Sequence, residues 1–242
     1  MYIIFYLYLT VFINTIYGSQ KTVKNLFSVF IKLLSPDVEI HSNEIVETIP
    51  DKILLISNHS KLIDYISLHT VLTKKYPDHL PVFVSVDKVK KIPYYGSVFA
   101  KNYIIINRKD TETSISDMIQ KCKKLKYKKT VIVLFPEGDI YRHKNVVKSD
   151  NYCKQNNIKK FNNVLCPKVK AYDTILKYFK PDQVHLSKLK YYKDYTTFLG
   201  YNDFLNIFVK YPECSITLTP CMKEKPLIDI WRDLDNTFSK YL

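Results

Sequence analysis

Cysteine is scarce in this chain and unpaired. Cys122, Cys153, Cys166, Cys214 and Cys221 are odd in number and contain no CxxC pair, which argues against a disulfide framework and a thiolate zinc site. The six histidines are scattered, with no HExxH or other short ligand spacing, so no metal is expected. Reduced thiols facing a cytosolic environment are the modest conclusion. Glycine occurs only four times in 242 residues, which makes each one worth locating. Acidic residues number 23 against 37 basic ones, a net charge of +14. Such a surplus favours an anionic partner. Because the chain is also rich in Tyr, Ile and Asn, an AT-rich genome would give the same mixture, and the charge is discounted. There is no Cys/His finger, no RNP-like aromatic block and no basic helix of the expected type, so no nucleic-acid partner is expected. Internal repeats and low-complexity linkers are lacking too.

What is present suffices for a substantial core. Hydrophobic residues make up 46% of the chain, and the length suits one large domain or a domain with an appended segment. That segment is the N-terminus. Met1–Tyr17, MYIIFYLYLTVFINTIY, carries no charged side chain, and Lys21 and Lys24 follow it. Its length is at the short end for a spanning helix, about 17–25 residues. NLFSVFIKLL at 25–34 could lie in the interface as an amphipathic helix. Residues 1–35 are therefore read first as a membrane anchor, with a helical hairpin or interfacial insertion and a cleaved signal as alternatives. A basic n-region and an A-x-A-like site are missing for the last of these. The lysines after the anchor favour a cytosol-facing domain over 36–242.

Beyond the anchor, strands alternate with helices. Residues 40–49 suit an edge element, and 52–57, 82–86, 103–106 and 130–135 suit strands. Apolar residues at 62, 63, 66, 68 and 71 suit a helix continuing to about 75. A second helix is expected over 113–125 with Asp110 or Thr111 as its cap, and a third after Pro226. TVIVLF at 130–135 is short and apolar, as in a sheet covered on both faces. The pattern predicts an α/β fold with a mainly parallel or mixed sheet flanked by helices. The stretch 186–201, rich in tyrosine and lysine, is expected to be an excursion or loop.

Four short pieces carry chemistry. In LLISNHSKLIDY, at 54–65, an apolar run stops at Asn58-His59 and Asp64 follows. Five residues on one continuous helix would place the two side chains about 140° apart. The pair becomes useful if His59 sits in the turn before the helix, with Ser60 as a candidate N-cap, and Asp64 in the first turn. Asp64 could then hold one imidazole nitrogen and leave the other to take a proton. A capped helix start after a buried strand is the bland alternative. The second piece, FPEGD at 135–139, follows the strongest strand and would expose Glu137 at the C-terminal edge of the sheet; its alternative is an ordinary turn. The third, IPYYGSVFAKNYIIINR at 92–108, ends in Arg108, either a solvated charge or a bidentate phosphate contact. The fourth, VLCPKVKAY at 164–172, reads as a strand-like end closed by Pro167, with Lys168 and Lys170 beyond it.

In this order, NHSKLID, a G…F…R block, FPEG and a strand–proline block, the chain resembles the glycerophospholipid acyltransferases. Its spacing and flanks look most like the lysocardiolipin and lysophosphatidic acid acyltransferase branch, in which a serine and a short helix, here Ser149 and the stretch to Asn157, precede the last block. The resemblance runs from about residue 40 to the C-terminal helix with Trp231. It departs where Asp139 stands after FPEG instead of threonine, and where Lys168 and Ala171 replace an arginine and a glycine.

The resemblance implies acyl transfer from acyl-CoA to a hydroxyl of a lysophospholipid or lysophosphatidic acid at a membrane, with no cofactor and no covalent intermediate. His59 would be the general base and Asp64 its orienting partner. Asn58, Arg108, Glu137 and Gly138 would bind substrate, Arg108 through the acceptor phosphate. Lys168 and Lys170 would meet substrate or CoA phosphates. An internal membrane such as the endoplasmic reticulum, with the catalytic domain facing the cytosol, is the implied location. A CoA-independent transacylase and a catalytically silent membrane-binding relative are the alternatives.

Overall fold

A computed structural model describes residues 38–42, 49–61, 64–91, 103–191 and 214–239. The segment read as an anchor lies outside these residues. Among those described, no helix is long and apolar enough to cross a membrane.

In chain order the elements are β1 (Val38–Ser42), β2 (Lys52–Ser57), α1 (Asp64–Lys75), β3 (Leu80–Val86), a 3-10 turn (Asp87–Lys91) and β4 (Ile104–Ile106). There follow α2 (Thr111–Leu125), β5 (Thr130–Leu134), α3 (His143–Gln155), α4 (Val169–Tyr178), β6 (Gln183–Tyr191), β7 (Cys214–Cys221) and α5 (Leu227–Ser239). Seven strands form one mixed sheet in the order β1-β7-β6-β2-β5-β3-β4. From β6 to β4 all neighbours run parallel. β7 is antiparallel to β6, and β1 pairs parallel with β7 at the edge.

The sheet is covered on both faces, as the apolar runs require. Leu54 and Ile56 of β2 and Ile132 and Leu134 of β5 pack toward Met118, Tyr172, Ile175 and Trp231, from α2, α4 and α5. Their alternating neighbours Ile53, Leu55, Val131 and Val133 pack toward Leu68, Val71 and Leu72 of α1. This period-two division puts a core on each side. α2 is capped as expected, Asp110 accepting from the Thr113 N–H at 3.1 Å.

Two expectations need correction. Of the stretch 186–201, residues 186–191 are no excursion: they belong to β6, beside β2 in the middle of the sheet, and 192–201 lie outside the described residues. Apolar residues alternate there with lysine and serine, and Lys188 reaches the Thr237 carbonyl at 2.9 Å, so polar side chains conceal a central strand. The fourth piece contains no strand either. Residues 164–167 run irregularly into α4, and tertiary contacts replace the ladder. Ser149 Oγ accepts from the Cys166 N–H at 2.7 Å, Asp235 Oδ1 from the Asn163 N–H at 2.6 Å, and the Trp231 indole donates to the Leu165 carbonyl at 2.9 Å.

Candidate active site

The site lies beyond the C-terminal ends of β2, β4 and β5, where ligands bind in open α/β sheets. β2 ends at Ser57, and Asn58 extends its pairing with β6 through a side chain. The amide accepts from the Leu189 N–H at 2.8 Å and donates to the Leu189 carbonyl at 2.9 Å. Its second N–H points to Ser60 Oγ, 3.2 Å away. Asn58 thus fastens the loop to the sheet and does not line the pocket described below. The described helix begins at Asp64, and residues 62–63, which a Ser60 cap would serve, lie outside the described residues.

The turn brings His59 back onto Asp64. Asp64 Oδ2 lies 2.8 Å from His59 Nδ1 and accepts from the backbone N–H groups of Ser60 at 2.7 Å and Lys61 at 2.9 Å. Tyr191, at the end of β6, donates its hydroxyl to Oδ1. Asp64 is fully buried and His59 is 7% exposed. A carboxylate in that setting needs such donors to stay charged. Phe135 stacks on the imidazole at 4.3 Å between centroids, and Tyr65 meets it edge-on at 5.5 Å. Tyr65 in turn contacts Ser85 Oγ at 3.0 Å. Burial pushes its phenol up to about 12.

FPEG forms the facing wall. Gly138 closes a turn onto the Phe135 carbonyl at 3.0 Å with φ of 69°, a left-handed conformation that favours glycine. A Cβ there would also come within 3.2 Å of Lys168 Nζ. Glu137 is buried and accepts from the His59 N–H at 3.3 Å. Burial raises its carboxyl well above the usual range, and the N–H groups of His59 and Leu165 offset this in part. Tyr141 N–H donates to the His59 carbonyl at 2.8 Å, and Lys168 N–H to the Pro136 carbonyl at 2.9 Å. The first, second and fourth pieces are therefore bonded into one unit.

A pocket of about 420 Å³ opens between them, with His59 and Phe135 in its wall. Val84, Val86, Ile106, Leu134 and Ala171 give it an apolar body. Lys88, Arg108 and Lys168 supply positive charge, and Asp139 is the nearby carboxylate. Arg108 donates to Asp139 Oδ2 at 2.9 Å and to the Gly138 carbonyl. Lys168 keeps more than a third of its surface in water, yet partial desolvation, and after it the Arg108 charge, lower its ammonium pKa. Lys170 is exposed, outside the pocket lining.

The structure thus gathers His59, Asp64, Arg108, Glu137, Gly138 and Lys168 and leaves Asn58 and Lys170 aside. Sequence reasoning missed Tyr65, Lys88 and Tyr191, and assigned no part to Phe135 in the pocket or to Asp139 as the partner of Arg108. Phe135 belongs to the FPEG motif, Asp139 follows it and Tyr65 adjoins Asp64. Lys88 and Tyr191 carried no local signal.

The fold and site define a class: an α/β protein presenting a histidine–aspartate pair beside an apolar pocket with a cationic rim. The family model described as Acyltransferase matches residues 37–167, more than half of the chain. The chain belongs to the acyltransferase family. No curated protein matches it.

Proposed function

We propose that this protein transfers a fatty acyl group from acyl-CoA to a free hydroxyl of a lysophospholipid or lysophosphatidic acid. The observation that carries this reading is the 2.8 Å contact between His59 Nδ1 and Asp64 Oδ2 in the wall of a pocket both apolar and cationic. With Nδ1 protonated and held by the carboxylate, Nε2 has its lone pair free to take the proton of the acceptor hydroxyl. The oxygen attacks the thioester carbonyl, the tetrahedral intermediate collapses with loss of the CoA thiolate, and the imidazolium returns its proton to that sulfur. Asp64 stabilises the imidazolium between these events.

The pocket's apolar body suits an acyl chain, and its cations suit phosphate. Arg108 serves the acceptor phosphate once it leaves Asp139, and Lys88 and Lys168 add positive potential. Glu137, whose carboxyl burial raises well above the usual range, shapes the glycerol site beside His59. The protein works without a cofactor at an internal membrane such as the endoplasmic reticulum, its catalytic domain facing the cytosol and residues 1–35 holding it there.

Radiolabelled transfer from oleoyl-CoA into a panel of lysophospholipids, with wild type and His59→Ala in the same membranes, tests this. Label in one acceptor, lost in the variant, supports the reading and names the substrate. Transfer that survives His59→Ala overturns it. Label that moves only from phospholipid donors replaces acyl-CoA as the donor.

A further inference from the structure

Asp64 is held from two directions. Oδ2 takes three donors from its own turn: His59 Nδ1 and the N–H groups of Ser60 and Lys61. Oδ1 takes the hydroxyl of Tyr191, 127 positions further along the chain. Without the second anchor, the carboxylate would be fixed through one oxygen, and its terminal torsion is intrinsically broad. Tyr191 ties the other oxygen to β6, the neighbour of β2, and so fixes the carboxylate plane relative to the sheet. The tyrosine is itself braced, with Lys61 Nζ 4.9 Å from its ring centroid. A cation over the ring face holds the phenol against the turn.

We propose that Tyr191 is a positioning residue for acyl transfer, acting through Asp64: its hydroxyl orients the carboxylate and shares its charge, so that His59 is presented in one orientation. This rests on the reading of His59 as the general base. The physics is a balance of donors. A buried carboxylate that loses one concentrates its charge on those remaining, and holds the imidazolium more tightly. Among the described residues, the titratable groups facing His59 and its partner are Asp64, Glu137, Tyr65, Lys61 and Tyr191. Tyr191→Phe changes the last of these alone and keeps its ring.

The test uses the full chain in detergent or membranes, with NMR of labelled imidazoles and steady-state kinetics. In Tyr191→Phe the His59 ring signal should broaden or split, because a carboxylate fixed through one oxygen lets the imidazole sample more than one orientation. kcat should fall about tenfold, with KM within about twofold, as for an interaction made chiefly in the transition state. In the Asp64→Asn background the tyrosine substitution should add no further loss of kcat. The double variant should also fold where Tyr191→Phe alone does not, because a neutral amide short of one donor costs less than a buried charge. A merely packing tyrosine would lower the melting temperature equally in both backgrounds and leave the His59 signal and kcat unmoved, which would overturn the proposal. Activity that survives His59→Ala would instead sink the reading of His59 as base, while the ring signal still reports whether Tyr191 acts through Asp64.

Discussion

Arg108, just past the end of β4, is already occupied: it donates to Asp139 Oδ2 at 2.9 Å and to the Gly138 carbonyl. Asp139 follows FPEG where the resembling family commonly has threonine. The residue that marks a departure from the pattern is thus the one that engages the arginine proposed to bind phosphate. A phosphate entering the pocket must compete with it.

Asp139→Asn should therefore favour the acceptor. The pair is half-exposed, 43% and 44% by side chain, so its loss should cost at most about 1 kcal/mol of stability. KM for a phosphate-bearing acceptor should fall about threefold, the effect of about 0.65 kcal/mol, and kcat should hardly change. Steady-state kinetics over a range of acceptor concentrations measures this. An unchanged or higher KM would mean that Asp139 helps to place the arginine.

His59→Ala and Asp64→Ala should part company. Both should lower kcat about 10²- to 10⁴-fold, the usual worth of a general base. Only Asp64→Ala should strongly destabilise the fold. It leaves the Ser60 and Lys61 N–H groups and the Tyr191 hydroxyl short of an acceptor, a cost of about 2–4 kcal/mol. Thermal melts of the two purified variants would separate catalysis from structure.

Glu137 predicts a slope of stability with pH. Burial raises its folded-state value well above the 4.5 of an ordinary carboxyl. Its contribution is therefore fully present below about 4.5 and lost as pH rises through the folded value. Glu137→Gln removes the titration, so the variant should gain on the wild type between pH 5 and pH 8. Melting temperatures at both pH values check it, and parallel changes in the two proteins would contradict the assignment.

Trp231→Phe should act at a distance. The indole is fully buried and donates to the Leu165 carbonyl at 2.9 Å. Two residues further on, Pro167 leads into Lys168 at the pocket. Losing the bond and some volume should cost about 2 kcal/mol and raise KM more than it lowers kcat. Denaturant unfolding and kinetics on one preparation would show both. A loss confined to kcat would contradict it.

Elements built from local pattern were readable from residues alone. Lys52–Ser57 and Thr130–Leu134 are apolar at successive positions because both faces of the sheet are covered, and α2 announces itself through Asp110 and its spacing. The His59–Asp64 contact was readable as well, since a turn of five residues closes by itself once a strand ends and a helix begins. The order of the four motifs gave the resemblance, and with it Arg108 and Glu137.

What tertiary structure alone decided is what joins distant parts of the chain. β6 holds a central place although its lysines and its serine look like a loop, because position in a sheet depends on which neighbours cover it. Asn58 mimics backbone pairing, because Leu189 lies opposite it in β6. The fourth motif needed no strand once Ser149, Asp235 and Trp231 supplied its hydrogen bonds. Tyr191 reaches Asp64 across 127 residues, and no local spacing encodes that. Sequence determines short-range geometry through turns and periodicity, whereas a contact between distant segments exists only when the whole sheet sets their registers.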